Sequence, residues 1–230
     1  MRGASNIARL AGLSLLGALA ALVVGMNNYP SFDARSEYFP LAIPRLIESQ
    51  AEFRVALGFI ATTGVLLVLA GVAATLAFSQ SGAATLIPGS ILAVSGGGFL
   101  LSAALGLAAL RILVAAGNLS VADGRAHAAT AYPWASGSQT SLLMIGLGFL
   151  ALGLLALIVV MLRAGAFSRP AIVVALALPV VLWIVIALAV EGAPLVWLVP
   201  GLPVVVWTVG LGFFLIVTGR VVAPPQVATA

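Results

Sequence analysis

Arg111 is the residue whose surroundings suit it least. It stands in the run Ala108-Ala109-Leu110-Arg111-Ile112-Leu113-Val114. An ionisable side chain in such a setting marks a functional site by default, unless its long stem lets the charge reach the headgroups. Two readings therefore stand side by side. Either Arg111 snorkels to the membrane surface, or it stays inside and takes a counter-ion. Glu191 is the first choice of counter-ion, and Glu52 or Glu48 the second. Together with Arg54 and His127, these residues outline a polar pocket for a small molecule or a lipid.

Other constellations offer less. Glu48 and Glu52 lie one helical turn apart, which suits paired carboxylates and equally a solvated helix face. His127 is the single histidine and the one candidate base for a hydroxyl nucleophile; no Gly-x-Ser-x-Gly accompanies it, and a lone loop histidine is usually solvated. All ten basic residues are Arg, without one Lys, which removes Schiff-base chemistry and the Gly-Lys phosphate loop. With no Cys and one His, zinc sites built from His and Cys, bis-His haem ligation and disulfides are all excluded. Ser95-Gly96-Gly97-Gly98 lies in an apolar run and reads as helix packing. The net charge of +4 forms no basic stripe, so no nucleic acid is expected. No cofactor and no metal is implied.

The elements that must carry these residues follow from composition. Of 230 residues, 63% are hydrophobic and 7% charged, with a mean hydropathy of +1.24. A soluble domain is about a quarter charged, so this is a membrane protein. A spanning helix needs about 20 apolar residues, and charge-free intervals place six of them, at 8–26, 55–78, 90–111, 142–162, 170–190 and 202–219. The interval 55–110 is too long for one crossing, at about 84 Å for about 1.5 Å per residue. It must turn back at Ser79-Gln80-Ser81-Gly82 and Pro88-Gly89. Lipid leaves backbone groups no outside partner, so each span is helical. The expected fold is all-α, a single polytopic bundle of about six transmembrane helices. The first span resembles an anchor more than a cleaved leader, because its apolar run passes the possible cleavage signature Ala18-Leu19-Ala20 and continues to Val24.

With both termini cytoplasmic, the inner segments hold Arg2, Arg9, Arg163, Arg169 and Arg220 and no acid, whereas all six acids fall in the outer loops. The greater density of arginine in the short inner segments sets this orientation in the inner (plasma) membrane. Tyr29, Phe32, Tyr38, Phe39, Tyr132, Trp134 and Trp197 fall at outer span ends, as rings at the headgroup level should.

The outer face holds the two long connections. Pro44 opens a segment, Arg45 to Phe53, with Glu48 and Glu52 on one face and Leu46, Ile47 and Phe53 on much of the other. It reads as a short amphipathic outer-surface helix feeding the second span. The stretch 118–141 reads as a polar loop. Pro194, Pro200 and Pro203 predict a broken stretch over 192–201 before a helix of about 18 residues, and Pro179 predicts a kink. Gly98, Ser102 and Gly106 recur every fourth residue, a stripe that admits a second backbone, by default one within the chain and otherwise a second copy.

Three stretches share a further likeness. They are Ile47-Glu48-Ser49-Gln50-Ala51-Glu52-Phe53-Arg54, Leu152-Gly153 through Leu162-Arg163-Ala164-Gly165-Ala166-Phe167-Ser168-Arg169-Pro170, and Trp207-Thr208-Val209-Gly210-Leu211-Gly212 through Thr218-Gly219-Arg220. Their order and spacing resemble the bacterial membrane family filed as domain of unknown function 4386. That family has about six spans in a similar length and no established activity, so the resemblance implies architecture alone. This chain lacks the acidic residue often seen before the family's final Trp.

Three functions remain open. The first is a non-enzymatic accessory, scaffold or lipid-contacting protein, with membrane lipids, a homo-oligomer or another membrane subunit as partners. The second is a small-molecule or lipid transporter using Arg111 and Glu191. The third is an enzyme acting on a lipid or quinone through Glu48, Glu52 or His127.

Overall fold

With no water to bond in hydrocarbon, the apolar stretches close their backbone hydrogen bonds within themselves. The computed structural model describes residues 2–29, 48–78, 86–117, 121–163, 180–181 and 201–219. The described residues form helices and no strand: α1 (Arg2–Asn27), α2 (Gln50–Phe78), α3 (Leu86–Gly117), α4 (Val121–Arg163) and α5 (Gly201–Thr218). Four carry apolar spans long enough to cross a membrane, Ser5–Asn27, Gln50–Phe78, Leu86–Ala115 and Gly137–Arg163. α5 has 18 residues, about 27 Å at about 1.5 Å per residue.

Several sequence expectations are corrected. From Val121 on, the stretch 118–141 expected as a loop is helix: α4 starts there and runs unbroken for 43 residues, about 65 Å; residues 118–120 lie outside the described residues. Ala126, Ala128, Ala129 and Ala131 are strong helix formers, and their propensity prevails over the polar composition and over Pro133. Pro88-Gly89 does not precede the third helix but lies in its first turn, after Leu86, where a missing N–H leaves no bond unmade. Gln50 to Phe53, expected in a separate surface helix, are the first turn of α2, and the Phe53 amide donates to the Ser49 carbonyl at 3.0 Å. Residues 45–47 lie outside the described residues. So does the expected fifth span, 170–190, except the helical pair Val180 and Val181, and so does the stretch 192–201 as far as Gly201, where α5 begins.

Each helix from α1 to α4 packs on the next, and α5 packs on α1 and touches α4. Glycines set the register. An added Cβ at Gly96 would stand 2.5 Å from the Gly64 carbonyl oxygen, and one at Gly71 would strike the Gly89 carbonyl. A step of seven up one helix is met by seven down the other, so α2 and α3 are antiparallel with their backbones in contact. Gly98 lies on Gly146, and Gly106 on Gln139, which fixes α3 antiparallel to α4. The stripe Gly98, Ser102 and Gly106 thus finds its partner inside the chain. Gly12 faces Gly212 and Gly219 faces Ser5, so α5 runs antiparallel to α1. α4 therefore ends at the face where α1 begins, and α5 begins at the opposite face.

Small polar side chains bond these contacts. The Thr63 hydroxyl donates to the Phe59 carbonyl at 3.0 Å and approaches the Ala18 carbonyl of α1 at 3.3 Å. The Ser95 hydroxyl donates to the Gly146 carbonyl at 2.7 Å, and that of Ser102 to the Gln139 carbonyl at 3.0 Å. Outward, every described helix bares large apolar side chains, among them Leu13, Leu69, Leu101, Leu152 and Phe213. Such a belt would drive aggregation in water and suits acyl chains.

Because backbone stands on both sides of the contact, Gly96→Leu should lower stability by about 1–3 kcal/mol through overpacking. Gly97, with nothing within 4 Å of an added Cβ, should accept Leu with no loss. Thermal unfolding of the two variants in the same detergent checks the pair.

Candidate functional site

Three buried residues aim two arginines at one groove. Phe53 is buried near the start of α2, so the next residue, Arg54, is turned outward and exposed. Leu110 and Leu113 are buried on α3, leaving Arg111 between them exposed. Arg54 and Arg111 line one open groove of about 500 Å³, whose other walls are Leu107, Leu110, Val114 and Ala115.

The depth of the two charges follows from helix rise. Leu100 is at the middle of the apolar span Leu86–Ala115, and Arg111 lies about 16 Å along the helix from it. Gly64 is at the middle of Gln50–Phe78, and Arg54 lies about 15 Å away. Gly64 packs against Gly96 and Leu100, so the two middles coincide. Half of a hydrocarbon core about 30 Å thick is about 15 Å. Both guanidinium-bearing residues thus stand at one level along the bundle, a distance from the middle of the two spans that equals about half of such a core.

Among the described residues, two members of the pocket read from the sequence share one groove. Arg54 and Arg111 come together. Glu48 and Glu52 are exposed at the start of α2, and no acidic side chain among the described residues lines the groove. Glu191, the expected counter-ion, lies outside the described residues. His127 belongs to the helical backbone of α4 rather than to a loop, and its side chain is outside what is described. The described lining of the groove is therefore two arginines and four apolar side chains. Guanidinium forks can bind a phosphate or carboxylate bidentately.

A second polar centre was not found from the sequence. Asn28 caps α1, its Nδ2 donating to the Val24 carbonyl at 2.8 Å, and the cap delivers Tyr29 across the top of α2. The Tyr29 ring is tilted 57° against Phe53 with centroids 5.1 Å apart. Its hydroxyl donates to Gln139 Oε1 on α4 at 3.1 Å. Gln139 is 2% exposed, and its amide fits because position 106 is Gly; an added Cβ there would come within 2.9 Å of Nε2. An amide buried without partners would be costly. Here it joins the end of α1 to α4, a structural bond rather than a reacting group. The polar run Thr130 to Ser141 was its only sequence signal, and reading that run as a loop concealed it.

The Tyr29–Gln139 bond should be visible as a coupling. In a double-mutant cycle of Tyr29→Phe and Gln139→Leu, followed by unfolding in bicelles, the interaction energy should be about 0.6 kcal/mol and no more than about 1.7 kcal/mol. Compared with known proteins, the chain matches no protein-family model, and neither a curated protein nor a solved structure is found similar to it.

Proposed function

We propose that this chain is a six-span, non-enzymatic membrane protein, a lipid-contacting accessory or scaffold subunit of a bacterial plasma membrane, with both ends cytoplasmic. The observation that carries this reading is the close packing at the junction of four described helices. Where α1, α2, α4 and α5 meet, the space bounded by Leu15, Ala18, Thr63, Leu67, Leu150 and Thr208 amounts to about 10 Å³, at most the room of one water. The Thr208 hydroxyl there donates to its own helix, to the Val204 carbonyl at 2.6 Å. A path for a solute needs more space and spare polar groups than these helices provide. The sixth crossing is supported by direction: α4 ends at one face and α5 begins at the other, and the uncharged run 170–190 lies between them. The orientation rests on Arg2, Arg9, Arg163, Arg169 and Arg220 on the acid-free side. The family resemblance rests on its three quoted stretches alone.

The native chain has no Cys, so single-Cys variants report sidedness directly. In intact cells, Ser36→Cys and Ala193→Cys should react with an impermeant maleimide, and Ser81→Cys and Ser168→Cys only after permeabilisation. Ser168→Cys and Ala193→Cys reacting from one side would remove the sixth crossing. In proteoliposomes, inorganic phosphate, a short-chain carboxylate and a headgroup-labelled phospholipid should cross at the rate of protein-free vesicles. A saturable flux lost in Arg111→Ala would replace the scaffold with a transporter.

A further inference from the structure

The groove holding Arg54 and Arg111 carries a more specific reading, which rests on the proposal of a lipid-contacting membrane protein and names the lipid. We propose that the two arginines form a receptor for the phosphate of an anionic phospholipid, with one acyl chain laid along the trough between α2 and α3.

Charge argues for an anion. Two guanidinium groups share one groove that no acidic side chain among the described residues lines, and like charges held together in a medium of reduced dielectric repel. An anion between them removes that repulsion and satisfies their N–H donors, and a phosphodiester offers the oxygen pairs an arginine fork matches. A headgroup that carries its own cation would return positive charge to the same place. The ligand is therefore a lipid of net negative charge rather than a zwitterion.

Depth and lining argue for a lipid over a soluble anion. The site stands about 15 Å from the middle of the spans at about 1.5 Å per residue, the edge of the hydrocarbon, from which an arginine stem reaches outward to lipid phosphates. Of the six described residues that line it, Leu107, Leu110, Val114 and Ala115 are apolar. Below Arg111 the apolar track continues through Leu107 and Leu100, spaced on one helix face and 43% and 36% exposed. Below Arg54, α2 presents Gly58, around which an added Cβ would meet nothing within 4 Å. The Thr62 hydroxyl beside it donates to the Gly58 carbonyl at 2.9 Å and so does not compete for a ligand. A charged mouth above an apolar trough of one leaflet's depth fits an amphiphile.

The test uses the purified full-length chain in detergent with dioleoyl phosphatidylglycerol and dioleoyl phosphatidylcholine as probes, read by native mass spectrometry. The wild-type chain should retain one phosphatidylglycerol in preference to phosphatidylcholine. Arg54→Gln or Arg111→Gln should each reduce that preference roughly tenfold, the scale of one charge-assisted hydrogen-bonding group, and the double variant should abolish it. Arg163→Gln, at the other face, should leave it intact. Millimolar inorganic phosphate or glycerol phosphate should not displace the lipid. Equal retention of both lipids, equal loss in Arg163→Gln, or displacement by free phosphate at lipid-like potency would each overturn the proposal. Melting temperatures of all variants, expected within a few degrees of wild type, separate lost binding from lost fold. Flux with the lipid preference intact would defeat the scaffold reading alone; silence in flux with no lipid preference would defeat the lipid site alone.

Discussion

Hydrocarbon offers helices no hydrophobic reason to associate, since a leucine against lipid is as content as a leucine against leucine. Whatever holds this bundle together must come from close backbone approach and from the few polar groups that can bond across it. The chain meets that constraint with glycine. Gly64 against Gly96, Gly71 against Gly89, Gly98 against Gly146 and Gly12 against Gly212 bring backbones into contact on three separate interfaces. Where helices lie this close, dispersion contacts multiply and hydroxyls such as Ser95 and Ser102 reach a neighbouring carbonyl.

That mode of packing explains where a functional site can and cannot be. Interfaces built on glycine leave little space between helices, and the small void at the junction of α1, α2, α4 and α5 reflects it. α3 uses both of its sides in this way, with Gly89 and Gly96 toward α2 and Ser95, Gly98, Ser102 and Gly106 toward α4. Its remaining charge, Arg111, is consequently expelled to the edge of the α2–α3 contact. Among the described helices the open groove lies at the end of the α2–α3 contact, away from the tightly packed junction of α1, α2, α4 and α5.

Much of this was legible in the sequence and some was not, for separable reasons. Charge positions outlined the apolar intervals, because a charge in hydrocarbon is costly, and the length of the interval 55–110 together with its polar break at Ser79-Gln80-Ser81-Gly82 separated α2 from α3. The four-residue repeat of Gly98, Ser102 and Gly106 was visible as a packing stripe. The glycines of α2 and the second face of α3 were not, since they recur every seven residues and their meaning depends on two helices aligning in register. α4 was cut short at 142 because polar composition and Pro133 signal a loop locally, whereas alanine propensity and packing on α3 decide the matter over a longer range. Gln139 was lost with that misread segment. The partnership of Arg54 with Arg111 was foreseen as one member of a larger pocket, but their equal depth required the Gly64–Gly96 contact that ties the two spans together.

The same contact makes the arginine pair a property of the fold rather than of two flexible side chains. Arg54 lies in the turns of α2 just above Leu57, and Leu57 packs over Gly106, which in turn accommodates Gln139 and so α4. Arg111 stands on the next turns of α3 above the same glycine. Rotating or sliding either helix to separate the arginines would drive a side chain into backbone at Gly64, Gly96 or Gly106. Long arginine stems retain rotamer freedom, but their anchoring Cα positions are fixed by contacts with almost no tolerance for added volume. Two like charges are thus held at one level by packing that is indifferent to their charge, and the proposed anionic lipid would relieve the repulsion between them.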